Sequence, residues 1–179
     1  MNSLSETRAR VWSMLEDGVK DPKAPARFVT LATVGAAGAE ARILVLRAAD
    51  DAAGTVTFHT DARTSKVAEL AVSRNATALV WDAAERFQIR LRLSLSQRAG
   101  TAEEWAALSD GARSLYGGTP APGDPLDRPE AHTPKPDPDQ FCILTGTIAE
   151  IETLHLGQPY HARALFTRAN AFKGQWITP

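Results

Sequence analysis

The sequence predicts a mainly β fold, an antiparallel barrel carrying a few peripheral α-helices, built from one domain over residues 1–179. Three observations carry this expectation. Short segments rich in β-branched and aliphatic residues recur along the chain, each bounded by turn residues. Several alternate apolar and polar side chains with a period of two, most clearly Phe87, Ile89, Leu91, Leu93 and Leu95 against Gln88, Arg90, Arg92 and Ser94. Helical patterns are few and show none of the regular βαβ alternation that a parallel doubly wound sheet requires.

Taken in order, Leu4, Val11, Met14, Leu15 and Val19 recur near a 3.6-residue period, so residues 4–18 read as an amphipathic helix with Ser3 as N-cap and Gly18 as its stop. ARFVTLATV (26–34) and EARILVLRAA (40–49) read as a hairpin around the turn GAAG. After the turn DDAAG, TVTFHT (55–60) is a third strand, and SKVAELAVS (65–73) has helical spacing. TALVWDA and FQIRLRLSL follow as two more strands, turning at residues 84–86. Thr101 and Glu104 form a capping-box pattern that opens a helical segment lasting to about Tyr116. Most of the prolines then fall in a loop at about 117–139, which cannot hold regular structure over its length and reads as a lid or a mobile excursion. Strand character returns in FCILTGTIAEIETLHL and YHARALFTR, and the chain closes on GQWITP.

Composition removes several functions. A net charge of -1 provides no global basic field for nucleic acid or an anionic membrane, so any anion recognition must be local. No apolar run approaches the roughly 20 residues that span a bilayer. The N-terminal stretch does not read as a secretory signal, and the cytoplasm is the expected compartment. Cys142 is the only cysteine, which excludes an intrachain disulfide and reads as a small buried hydrophobe. His59, His132, His155 and His161 include no pair with zinc-ligand spacing, so no metal is expected. Serine-hydrolase elbows, Rossmann turns and P-loops are absent as well.

What remains is a set of cations and hydroxyls near strand ends. Arg42 and Arg47 flank ILVL, while Thr60, Arg63, Thr64, Ser65 and Lys66 gather at a helix start. Helix starts expose unpaired N–H groups and a positive dipole end, which suits a phosphate. The plain alternative is that Thr64 or Ser65 caps the helix while Arg63 and Lys66 lie in solvent. Arg42 and Arg47, five apart, face opposite sides of a regular strand, so a bulge or placement at strand ends is needed for both to serve one ligand.

The series ARILVLR, FHTDARTSKVAEL, ALVWDAAERFQIRLRL and HLGQPYHARALF with a terminal WITP resembles the pyridoxamine 5'-phosphate oxidase-like family of FMN-binding split barrels. It is most similar to the branch related to, but distinct from, the vitamin B6 oxidase itself, and the likeness runs from about Phe28 to the C-terminus. The resemblance implies a split barrel that holds FMN in a groove between the subunits of a homodimer. It places Arg42, Ile43, Leu44 and Arg47 on the strand that contacts FMN, with Arg47 where lysine is usual. His59 and Thr60 match a Tyr-Thr pair, and Ser65 and Lys66 match the Arg-Lys step that grips the phosphate. Thr64 lies beside them, and Arg63 is placed to supply the cation lost at Ser65. Gln88 falls on a glutamine that approaches the flavin ring, and Arg163 on a late arginine that also reaches the cofactor. Pro159 and His161 stand where the oxidase has an Arg-x-His substrate clamp. Its substrate-binding Tyr, Arg and Ser have no clear counterparts among Trp105, Ser109 and Arg113.

The expectation is therefore an FMN-dependent oxidoreductase moving two electrons between the flavin and a small molecule other than pyridoxamine phosphate. Arg47 and His161 are the candidate catalytic groups, the first stabilising negative charge and the second exchanging a proton. A non-catalytic flavin carrier or sensor is the alternative, and an interaction domain without cofactor is a third.

Overall fold

The computed structural model describes residues 3–36 and 38–179; Ala37, in the expected GAAG turn, lies outside the described residues. The chain begins with α1 (Leu4–Lys20), followed by β1 (Phe28–Gly35), β2 (Gly38–Asp50) and β3 (Thr55–Asp61). Next come α2 (Ser65–Val72), β4 (Asn75–Asp82) and β5 (Phe87–Ala99), then the short helices α3 (Ala102–Ala106) and α4 (Asp110–Arg113). The long strand β6 (Phe141–His155) precedes β7 (Ala162–Thr167) and β8 (Gly174–Ile177).

All strand pairs are antiparallel, in the order β3-β2-β1-β4-β5-β6, and β3 also pairs with β6, which closes six strands into a barrel. Strand β6 makes this closure possible by dividing its labour. Its first half, Phe141–Thr147, pairs with β3, and its second half, Glu150–His155, pairs with β7, while β5 runs along the other edge of both. Closure removes the exposed edges that an open sheet of this order would carry.

The alternation read from the sequence sets the core. Phe87, Ile89, Leu91 and Leu95 point inward and are essentially inaccessible, as are Leu31, Leu46, Phe58, Leu144 and Ile148 from the other strands. Each such side chain contributes about 1.5–3 kcal/mol relative to exposure. Helix α1 plugs one side of the barrel with Val11, Trp12 and Leu15, and Ser3 caps it as expected, accepting from the Glu6 N–H at 3.1 Å.

A second, smaller apolar cluster forms outside the barrel wall. Trp105, Leu108 and Tyr116, from the segment after β5, pack on Phe141 and Ile143 of β6. Phe141 meets Tyr116 and Trp105 at ring-centroid separations of 5.0 and 5.8 Å. This segment is two helices where the sequence suggested one, because Ser109 starts a second helix by accepting from the Ala112 N–H at 3.3 Å. The capping box of Thr101 and Glu104 is present, and Glu104 also binds Arg98 at 2.6 and 2.8 Å.

The proline-rich loop contains two short 3-10 turns, Pro129–Ala131 and Pro138–Gln140, and a bridge between Thr119 and Thr133. On the outer sheet face, cross-strand rows bring Phe28, Ile43, Leu79 and Trp81 onto one side, and Phe28, Ile43 and Trp81 are exposed. Among the described residues no helix is long and apolar enough to cross a membrane.

Gly18 does not stop α1, which continues to Lys20. A Cβ at this position would lie 2.6 Å from the backbone carbonyl carbon and oxygen of Ala26, so glycine permits the helix to touch the chain entering β1. Gly18→Ala, ordinarily stabilising in a helix by about 0.5–1 kcal/mol, is expected here to lower stability by about 1–3 kcal/mol through overpacking. Urea unfolding of the two proteins checks the sign.

Candidate functional site

The end of β3 and the start of α2 carry the densest polar cluster suited to a ligand. Along β3, Phe58 and Thr60 face inward, and the intervening His59 and the terminal Asp61 face the outer cluster, opposite Ile143 and Phe141 of β6. Thr64 occupies the N-cap of α2 but makes no side-chain bond to the helix. Its hydroxyl donates to the Asp61 carbonyl at 2.8 Å and lies 3.2 Å from the Thr60 hydroxyl. Lys66 is drawn in as well, donating from Nζ to Thr60 Oγ1 at 3.1 Å. The first turn of α2 thus keeps its positive end uncapped by a side chain, with two hydroxyls and an ammonium beside it.

Arg42 lies at the same place. It donates to Glu69 Oε2 at 3.1 Å and to the Thr33 hydroxyl, which in turn donates to Glu69. Burial, and then the nearby Arg42 charge, push the Lys66 ammonium below its usual pKa. For Glu69, burial acts against ionisation, but the Thr33 hydrogen bond and the Arg42 charge outweigh it and keep the carboxylate charged. Ser65, in the first turn of α2, also favours the charged form of Glu69. Two cations therefore share one carboxylate at an open helix start, a donor set that fits a phosphate group.

Arg63 does not join this cluster. Asp61, two residues earlier and 5% exposed, captures it at 3.0 Å to Nε and 2.7 Å to Nη2, and its Nη1 donates to the Gly118 carbonyl at 3.0 Å. The expectation that Arg63 supplies the cation missing at Ser65 is corrected: its side-chain donors are committed to Asp61 and the proline-rich loop.

Arg47 stands at a β-bulge, since Leu46 pairs with Phe58 and Ala48 with Thr57. The bulge that two strand arginines would need is therefore present, yet the two reach different partners. Arg42 binds Glu69 and Thr33, whereas the Arg47 charge acts on Tyr116 and lies close enough to His59 to repel a proton from it. Burial first, and Arg47 second, lower the His59 pKa to about 4. Its ring meets Phe141 edge-on at 4.9 Å, and its Nδ1 is buried without a hydrogen-bond partner. Between these positions Ile43 is exposed on the outer face and Leu44 is half-buried on the inner one.

Gln88, His161 and Arg163 sit elsewhere. Trp81, Gln88, Leu154, Arg163 and Ile177 form one cross-strand row over β4 to β8. Arg163 donates to Glu152 at 3.0 Å, and Arg90 donates to the same carboxylate. His161 immediately precedes β7 and lines a cleft of about 210 Å³ with Ala162, Arg163, Trp176 and Ile177. On β6, the partner of Thr60 is Cys142 and the partner of Gln88 is Leu154, twelve residues further on. That is about 40 Å of extended chain. The structure thus gathers Arg42, Thr60, Thr64, Ser65 and Lys66 at one end and Gln88, His161 and Arg163 at the other.

Sequence reasoning missed Thr33, Asp61, Glu69, Tyr116 and Glu152. Glu69, one helical turn from Lys66 and Ser65, and Asp61, two residues from Arg63, carried local signals; the others reach their partners by long-range pairing.

A buried neutral imidazole has a sign that pH can test. With a folded pKa near 4 against 6.5 unfolded, the unfolded chain binds the proton between these values, so stability is complete above pH 6.5 and falls as pH drops toward 4. The His59 ring resonances should titrate at about pH 4, and His59→Gln should flatten the stability slope between pH 6.5 and 4. A His59 midpoint near 6.5 would contradict the burial argument.

Comparison with known proteins places this architecture. Residues 9–96 match the family model described as pyridoxamine 5'-phosphate oxidase, FMN-binding domain. A pyridoxamine 5'-phosphate oxidase-related, FMN-binding protein from Nostoc punctiforme is similar at 26% identity with a TM-score of 0.78, over 96% of this chain and 97% of that one. PhzG from Burkholderia lata, solved with tetrahydrophenazine-1-carboxylic acid, shares the fold at 20% identity and a TM-score of 0.71, over 98% and 92% of the two chains. A general stress protein 26-related protein of the pyridoxinephosphate oxidase family from Clostridium acetobutylicum shares it at 14% identity and a TM-score of 0.60, over 94% and 96%. No curated protein sequence matches the chain. The matched family model, the closed antiparallel barrel and the agreement along nearly the whole chain converge: this chain belongs to the pyridoxamine 5'-phosphate oxidase-like family of FMN-binding split barrels.

Proposed function

We propose that this chain forms a cytosolic homodimer that binds FMN and moves two electrons between the flavin and a small molecule other than pyridoxamine phosphate. The observation that carries the reading is the uncapped start of α2, where Thr60, Thr64, Lys66 and Arg42 converge. A phosphate there relieves the repulsion between Lys66 and Arg42 and meets free donors. The single, buried cysteine accords with a reducing compartment.

The separation of the site residues favours two chains. Gln88 and Arg163 lie too far along β6 to meet a ligand held by Lys66 of the same chain, so in this reading a second copy supplies them. The exposed apolar face of Phe28, Ile43 and Trp81 is of the kind that pairing covers.

Bound in this groove, FMN supplies two-electron chemistry that no side chain offers. Arg42, Thr60, Thr64 and Lys66 hold its phosphate, and Gln88 and Arg163 orient its polar edge. Arg47, at the bulge of β2, places a positive charge where negative charge develops. His161, exposed at its cleft, exchanges a proton with the substrate. The loss of the oxidase's Arg-x-His clamp, where Pro159 precedes His161, supports a different substrate.

The purified protein should carry FMN or take it up, read from its absorption spectrum and the extracted cofactor. The Arg42→Ala, Lys66→Ala double variant should bind FMN at least about 100-fold more weakly, since each charge-assisted contact contributes about 1.5–3 kcal/mol; wild-type affinity in that variant would refute the cradle. Uptake without turnover of any compound in a broad substrate screen would return the protein to a carrier or sensor.

The shared site has its own test. Lys66→Ala and Arg163→Ala chains each fail alone, but a mixed dimer keeps one intact site and should bind one FMN per dimer. Absence of recovery on co-expression would exclude a site shared between chains.

A further inference from the structure

We infer that the Asp61–Arg63 pair is a positioning latch that couples the seating of the proline-rich loop to the shape of the anion cradle. The cradle half of this inference rests on the FMN reading above.

Asp61 works through two different groups. Its backbone carbonyl accepts from the Thr64 N–H at 3.2 Å and from the Thr64 hydroxyl at 2.8 Å, which fixes a cradle residue. Its carboxylate accepts from the Arg63 N–H at 2.9 Å, from the Arg63 guanidinium at 2.7 and 3.0 Å, and from the Gly117 N–H at 2.9 Å. Arg63 extends the same connection by donating to the Gly118 carbonyl at 3.0 Å. Between them, the Ala62 N–H donates to the Gln140 carbonyl at 2.9 Å, so the turn at 61–63 grips both roots of the loop.

The two roots are also joined to each other. The Asp137 N–H donates to the Tyr116 carbonyl at 3.1 Å, and Thr119 and Thr133 exchange backbone bonds of 3.0 and 2.9 Å. Beyond this stitching, residues 122–136 are all exposed, so the loop between the roots has no buried apolar anchor of its own. Its position is therefore set at the roots. Gly117 is required there: its φ is +98°, and a Cβ would lie 2.4 Å from Asp137 Cβ and 2.5 Å from the Lys135 carbonyl oxygen.

The same root reaches the outer face of β3, because Tyr116, adjoining Gly117, packs on Phe141 at 5.0 Å, and the Phe141 ring meets His59 edge-on at 4.9 Å. A displaced root thus loosens Thr64 on one side and the Tyr116–Phe141–His59 stack on the other. Conversely, an anion bound by Thr60, Thr64 and Lys66 stiffens the turn that the root sits on. Coupling of this kind is reciprocal: what the loop does to anion affinity, the anion does to the loop.

The test perturbs the attachment of the loop, from the loop side at Gly117 and from the turn side at Arg63. Gly117→Ala touches no cradle residue, and Arg63→Lys keeps the charge while losing the reach to Gly118; it carries the test if Gly117→Ala fails to fold by circular dichroism. FMN affinity and the rate of limited proteolysis within 119–136 are measured with and without FMN. Expected are slower cleavage of the wild-type loop when FMN is bound, cleavage of the variant loop that FMN no longer slows, and FMN binding about tenfold weaker in the variant, within the usual range for linked sites. A variant whose loop is cut faster while FMN binds as in wild type overturns the coupling. If the wild-type protein binds no FMN, the functional reading fails separately, and the latch is judged with inorganic phosphate as the probe. Protection of the wild-type loop but not the variant loop then supports it, and equal behaviour overturns it.

Discussion

The register of β3 on β6 is the constraint on which the rest of the molecule depends. Pairing Thr60 with Cys142 closes the barrel and at the same time assigns every residue of FHTD to a side. Phe58 and Thr60 go to the interior, and His59 and Asp61 go to the outer cluster. A slip of one residue would exchange the two sets. Phe58, fully buried, would then face outward at a cost of about 1.5–3 kcal/mol, and Lys66 would lose the hydroxyl it now donates to. The core thus enforces the site, since the apolar residue that must be inside fixes the polar residues on either side of it.

The charges around α2 are arranged against the general cost of desolvation. Lys66 and Arg42 are both withdrawn from water, and Glu69 is the one carboxylate they share. Arg42 and Glu69 form a hydrogen-bonded pair with Thr33, which offsets the burial of both. Lys66 donates to the Thr60 hydroxyl alone, and burial together with the Arg42 charge outweighs the Glu69 and Asp61 charges and loosens its proton. An isolated helix cap would require none of this, because Thr64 could accept from the helix itself. The hydroxyl instead faces the Asp61 carbonyl, leaving the helix end to another acceptor.

Much of this was legible in the sequence. The strict alternation of FQIRLRLSL gave the strand and its inner face, and the hydroxyls and cations of TDARTSK marked the polar cluster of Thr60, Thr64 and Lys66, because both depend on neighbours within a few residues. The role of Arg63 was not legible. Its proximity to Ser65 suggested the phosphate, whereas Asp61 and the Gly118 carbonyl, the latter 55 residues away, hold it. Gly18 misled for the same reason: a local stop signal proved to be a site of close approach by Ala26, which only tertiary packing reveals. The two-helix division after Thr101 depends on Ser109, a capping residue that was visible but was read as part of a continuous segment.

The far row of Gln88 and Arg163 lies apart from the cluster at α2 within one barrel. Glu152, 7% exposed, is shared by Arg90 and Arg163, so this face also carries two cations to one carboxylate. Close by on the same outer surface, Phe28, Ile43 and Trp81 leave apolar area in water. Both imbalances are relieved together if a second chain covers the apolar residues and its ligand lies against the surplus charge. In the proposed reading the cradle has the complementary need, holding cations with no group on its own chain to meet the other end of FMN. Under the proposed dimer each chain's excess meets the other's deficit, and the division of β6 between β3 and β7, which separates the two half-sites within one chain, is what makes the sharing necessary.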